Sequence, residues 1–68
     1  MRAISGKRMC RLIEARGWQL ARINGSHHIY RHKASKSRIT IPVHGNTDLK
    51  SGTQHSIMRT AGLTDADL

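Results

Sequence analysis

The apolar positions fall in short periodic runs separated by polar corners, and the period changes along the chain. Met9, Leu12, Ile13 and the stem of Arg16 recur at helical spacing and predict a helix over residues 5–16, with Ser5 as N-cap. Lys7, Arg11 and Glu14 fall on the opposite face, and Cys10 sits on the flank as a small half-buried hydrophobe. Gly17 is the expected left-handed stop, with Trp18 folding back on Ile13.

The period then drops to two. Residues 18–23 read as a strand, Asn24-Gly25 as a tight hairpin turn that needs φ > 0 at its centre, and residues 26–32 as a second strand. Ile29 is the only aliphatic residue in that second strand. Pointing it at the helices places His28, Tyr30 and His32 on the open face, and His27 and Arg31 on the Ile29 side; the alternative is Tyr30 in the core, with the opposite parity. Residues 33–37 form a basic polar loop. Ile39, Ile41 and Val43 alternate as a third strand, where Pro42 marks an edge or an end. After the His44-Gly45-Asn46 turn a second helix begins between Asp48 and Ser51 and runs to about Ala61. Thr53, Ile57, Thr60 and Ala61 share one face with Met58 flanking, and His55 and Arg59 are exposed. Gly62 stops this helix, Leu63 packs back on Met58, and Thr64 with Asp67 can cap a last turn.

The predicted order is α-β-β-β-α. It implies an α+β fold, a three-stranded antiparallel sheet with two helices on one face, in the order of the double-stranded-RNA-binding-domain fold. Residues 1–68 are expected to form a single small domain with a modest core. Cys10 is the lone cysteine, so an intramolecular disulfide is impossible, and a reducing cytoplasmic compartment is the simplest reading. No run of about 18 apolar residues suggests a membrane span, and the basic N-terminal stretch lacks the apolar core of a signal peptide.

Charge adds the partner. Twelve Lys and Arg against four acids give a net charge of +8, which favours a polyanion through counterion release. An acidic protein partner fits the same surface. Five histidines raise a metal site as the first chemical idea. His28 and His32, however, are about 13 Å apart along one strand face, His27 points the other way, and only His44 could approach. Ser26 beside His27 has no acid to orient the imidazole, the carboxylates are too few and misplaced for a paired mechanism, and Gly25-Ser26 is not a phosphate loop. The inventory fits metal-free RNA cleavage, with no cofactor. There the 2′-hydroxyl is the nucleophile, an imidazole of ordinary pKa ~6.5 moves a proton, and Lys or Arg stabilises the phosphorane.

The run Asn24-Gly25-Ser26-His27-His28-Ile29-Tyr30-Arg31 resembles the signature of the HicA family. So do Ile41-Pro42-Val43-His44-Gly45-Asn46, Asp48-Leu49-Lys50, Gly52-Thr53, Ile57, Ala61-Gly62-Leu63 and the opening Ile4-Ser5-Gly6-Lys7 with Gly17-Trp18. HicA proteins are mRNA interferase toxins of HicA–HicB toxin–antitoxin pairs. The resemblance implies a dsRBD-like fold, an endoribonuclease that inhibits translation, and an antitoxin, HicB, that covers the active site. It also carries the expectation of a monomeric free toxin. The family's catalytic histidine, last in Gly-Ser-x-His, falls on His28; Gly25 and Ser26 are carried over as site-shaping residues, and His27 holds the variable position. Ser51 stands where the family often has Pro, and residues 33–37 lack the usual Gly-Pro pattern. Candidate RNA contacts are Lys7, Arg22, Arg31, Lys50 and Arg59. The alternative from another class is a non-catalytic RNA-binding module of dsRBD type, and a purely protein-binding domain is a third.

Overall fold

Ser5 opens the first helix: its hydroxyl accepts the Arg8 N–H at 3.1 Å, satisfying one of the free donors of the first turn. In the computed structural model, which describes residues 1–68, this helix is α1 (Gly6–Glu14). It is followed by β1 (Gln19–Asn24), β2 (His27–His32), β3 (Ser35–Pro42), α2 (Ser51–Ala61) and a short 3-10 turn at Asp65–Asp67. The strands form one antiparallel sheet in the order β1-β2-β3. The architecture is the expected α-β-β-β-α.

Local signals explain the corners. Gly17 takes φ 93°, and the Trp18 N–H returns to the Ile13 carbonyl at 3.1 Å. Gly62 takes φ 72°, and Leu63 N–H bonds the Met58 carbonyl at 2.9 Å. The hairpin is one residue later than the Asn-Gly pattern suggests. Asn24 pairs with His27 inside the ladder, and no non-glycine residue has positive φ. The loop is therefore Gly25-Ser26, with Gly25 at φ 62° as the single left-handed residue, the Gly-X arrangement of two-residue hairpins. β3 begins at Ser35, so only Lys33 and Ala34 remain of the expected basic loop.

The parity of β2 is opposite to the one drawn from Ile29. Tyr30 is 1 % exposed and Ile29 is only half-buried on the open face with His27 and Arg31. Tyr30 carries the larger apolar surface, and its hydroxyl finds a partner in Glu14, so a phenol can take the core position at little polar cost. His28 and His32 therefore lie on the helix side. The register agrees: His28 stands opposite Ile41, and Tyr30 opposite Ile39, both buried.

Twelve buried apolar residues make the core, including Met9, Cys10 and Ile13 of α1, Tyr30, Ile39 and Ile41 of the sheet, and Ile57 and Met58 of α2. Gln54, fully buried, is the polar exception. Its Oε1 accepts the Ile4 N–H at 3.0 Å and its Nε2 donates to the Arg2 carbonyl at 2.6 Å, tying the N-terminal segment to α2. α2 starts at Ser51 with Lys50 in the cap position and no side chain capping it, so neither Asp48 nor Ser51 serves as the expected cap. The segment before α1 is held again by the Leu49 N–H to the Ile4 carbonyl, 2.8 Å.

Gly6 sets how closely α1 meets the sheet. A Cβ there would lie 2.1 Å from the Pro42 carbonyl oxygen. Gly6 is the first helical residue, where Ala gains little propensity over Gly, and Gly6→Ala forces α1 off β3, an overpacking cost of ~1–3 kcal/mol. The expected result is net destabilisation, read as a lower urea midpoint.

The C-terminus is fastened by charge. Asp67 accepts from the Thr64 N–H at 2.7 Å and pairs with Arg16 at 2.9 Å. The Thr64 backbone bond first, and the Arg16 charge with it, hold the Asp67 carboxyl below the usual aspartate range. A lowered folded value means the cap contributes fully above the unfolded pKa of ~3.9 and is lost as pH falls through the folded value. Protection of the Thr64 amide in hydrogen exchange should be flat from neutral pH down to the ordinary aspartate range and collapse below it, and Asp67→Ala should remove it throughout.

Candidate active site

The reversed parity of β2 gives His28 new neighbours. It lines a cleft of about 280 Å³ between α1 and the β1–β2 hairpin, together with Lys7, Cys10, Arg11 and Glu14 of α1, Leu20, Tyr30 and Val43. Lys7, Arg11 and Glu14 stand at i, i+4 and i+7, one stripe of the helix. By periodicity alone this stripe is the solvent face. It is exposed, but it borders the cleft rather than turning away from it.

The floor of the cleft is ordered by a buried phenol. The Tyr30 hydroxyl donates to Glu14 Oε2. Burial first, then hydrogen bonds with Cys10 and Glu14, push the Tyr30 phenol well above its ordinary range. Burial likewise raises the Cys10 thiol, against a lowering contact from Tyr30 and with a further push from the Glu14 charge. Both groups therefore stay protonated at neutral pH. Cys10, 7 % exposed, is more buried than its flank position suggested.

Gly25 and Ser26 form the hairpin loop ahead of His28 and do not themselves line the cleft. The Ser26 carbonyl accepts the Val43 N–H at 2.8 Å, pinning the hairpin loop to the chain just after β3. His28 comes two residues later, so its backbone is fixed by the turn, by β1 at Ile23 and by β3 at Ile41.

The other histidines are elsewhere. His32 packs on Trp18, with ring centroids 5.2 Å apart. Its Nδ1 accepts the Ala34 N–H at 2.9 Å, which leaves Nε2 as the protonated nitrogen donating to the Arg16 carbonyl at 2.9 Å. His32 is thus committed to joining β2 to the end of α1. His27 lies on the open sheet face, and His44 and His55 are exposed. No three His, Cys, Asp or Glu residues come together as a metal-binding group.

Of the five basic residues singled out from the sequence, only Lys7 reaches the His28 cleft. Arg22 pairs with Ile29 and Arg31 with Gln19, which puts both on the open face of the sheet. Lys50 stands at the N-cap position of α2 without capping it, and Arg59 lies in the last turn, both exposed. Arg11, Glu14 and Tyr30 are cleft residues that the sequence pattern did not single out. The 7-11-14 spacing was the available signal for the first two.

Fold and cleft together define a small, strongly basic α-β-β-β-α protein that holds one histidine against a charged helix stripe. The model of the family described as HicA toxin of bacterial toxin-antitoxin matches residues 6–63. The chain belongs to that family, and is the toxin side of a toxin–antitoxin pair. No curated protein matches the chain. No helix is long and apolar enough to cross a membrane.

The turn that carries the site tests its own logic. A Cβ at Gly25 would meet nothing within 4 Å, so only its φ resists substitution. Gly25→Ala should cost about 1 kcal/mol, and Gly25→Asn distinctly less, in chemical denaturation.

Proposed function

We propose that this toxin is an endoribonuclease that cuts mRNA without a metal ion, with His28 transferring a proton at the scissile phosphate. The observation that carries the reading is that His28, Lys7 and Arg11 line one open cleft. An imidazole supplies a proton donor or acceptor near neutral pH. Two cations beside it can neutralise the charge that builds on the phosphorane oxygens. Gly25 and Ser26 act by holding the β2 backbone in place. Cleavage of message would stop translation and growth. In this reading the antitoxin is a HicB-type protein that covers the cleft, and the toxin works in the cytoplasm.

The basic residues divide by distance from His28. Lys7 and Arg11 serve the reacting phosphate. Arg22, Arg31, Lys50 and Arg59 can add only longer-range attraction to RNA, which salt screens.

Purified protein incubated with mRNA and excess chelator should produce fragments ending in 2′,3′-cyclic phosphate. His28→Ala should lower the rate by about 100-fold or more and abolish growth arrest, with the far-ultraviolet circular dichroism unchanged. A folded His28→Ala protein that cuts at the parental rate would overturn the assignment. Bound but intact RNA with the parental protein would favour a non-catalytic RNA-binding module.

A further inference from the structure

One imidazole cannot take a proton from the 2′-hydroxyl and give one to the departing oxygen in a single step. If the toxin is a nuclease, the premise on which this inference rests, concerted acid–base catalysis needs a second proton-transfer group beside that imidazole. We propose that Glu14 is that group, the general base, with His28 as the general acid.

Five titratable groups share the cleft with Glu14. From its own helix these are Lys7, Cys10 and Arg11, and from β2 His28 and Tyr30; Leu20 and Val43 complete the wall and do not titrate. Arg11 is permanently cationic and Lys7 is cationic at neutral pH, so their part is to hold phosphate oxygens. Cys10 is buried and carries its proton. Tyr30 is buried with its hydroxyl committed to Glu14. Glu14 alone combines exposure, negative charge and a fixed position. One carboxylate oxygen is held by Tyr30, and a carboxylate has a second oxygen with lone pairs for a substrate hydroxyl. His28 and Tyr30 point to the same side of β2, about 6.6 Å apart along the strand at the usual rise. The imidazole and the carboxylate that Tyr30 holds thus border one open cleft, in which a phosphodiester can be reached by both.

The step then balances. Glu14, as carboxylate, takes the 2′-hydroxyl proton while O2′ bonds to phosphorus. The P–O5′ bond breaks, and O5′ leaves with the proton of the His28 imidazolium. The products are a 2′,3′-cyclic phosphate and a 5′-hydroxyl. Glu14 ends protonated and His28 neutral, and exchange with water restores both.

A structural role for Glu14 as the partner of Tyr30 makes a different forecast, and two variants separate them. Glu14→Gln keeps an acceptor for the Tyr30 hydroxyl but no base; Tyr30→Phe removes the hydrogen bond but leaves the carboxylate. The measurement is kcat/KM against pH for cleavage of a short oligoribonucleotide in chelator. The parental protein should give a bell-shaped profile. Glu14→Gln should lower kcat/KM by about 100-fold or more through kcat, and lose the acid limb. Glu14→Asp should restore part of the rate and the limb, and Tyr30→Phe should cost far less than Glu14→Gln. Near-parental cleavage by Glu14→Gln, or a loss in Tyr30→Phe as large as its own, would overturn the proposal. If His28→Ala is dead while Glu14→Gln cuts normally, the nuclease reading stands and only the Glu14 assignment falls. Failure of the parental protein to cut RNA removes both.

Discussion

The burial of Tyr30 decides where everything else on β2 points. A strand side chain has two choices of face, and fixing one fixes all of its neighbours. With Tyr30 at 1 % exposure among Ile39, Ile13 and Met9, the odd-numbered residues of β2 face away from the helices and the even-numbered ones face α1. His28 is thereby delivered to the α1 cleft instead of the open sheet. Glu14 makes that burial affordable, since a phenol hydroxyl without a partner would cost on the order of 1–3 kcal/mol. The same hydrogen bond brings a carboxylate to the cleft. The buried ring thus sets the parity of the strand, and its hydroxyl meets the carboxylate at the edge of the site.

The close approach of α1 depends on a second constraint at Gly6. Its lack of a side chain lets the first turn of α1 sit on the carbonyl of Pro42, the residue paired with His27. Lys7 and Arg11 are placed over the hairpin by that approach. The core behind them is small, as 68 residues allow, so the position of α1 rests on few contacts. The buried Gln54 adds two hydrogen bonds from α2 to the segment entering α1.

The features legible in the sequence are the local ones. Ser5 as a cap, Gly17 and Gly62 as left-handed stops, and the Thr64–Asp67 box each depend on residues within a turn of one another, and each stands where expected. The element order comes from the changes of period. The parity of β2 was not legible, because that strand offers only Ile29 and Tyr30 as core residues and they have opposite parity. The choice rests on a partner sixteen residues away. Gln54 was invisible for the same reason, its partners lying about fifty positions off. The Lys7-Arg11-Glu14 stripe was seen, but helical periodicity only says which side is not core. It does not say whether a hairpin borders that side.

The histidines show how far composition can mislead. Five imidazoles in a short chain invite a shared role, yet the fold gives them separate ones. His32 uses both ring nitrogens on backbone partners and packs tilted against Trp18, and a Cβ at Gly17 would meet its Nε2 at 2.9 Å. That ring belongs to the joint between β2 and α1, although it shares its strand face with His28. His28 differs in what surrounds it: an open cleft, two cations and a carboxylate. What a histidine is placed to do here depends on the neighbours it is given rather than on its identity. Those neighbours belong to α1, the element whose exposed stripe gives the least sign in sequence of facing anything at all.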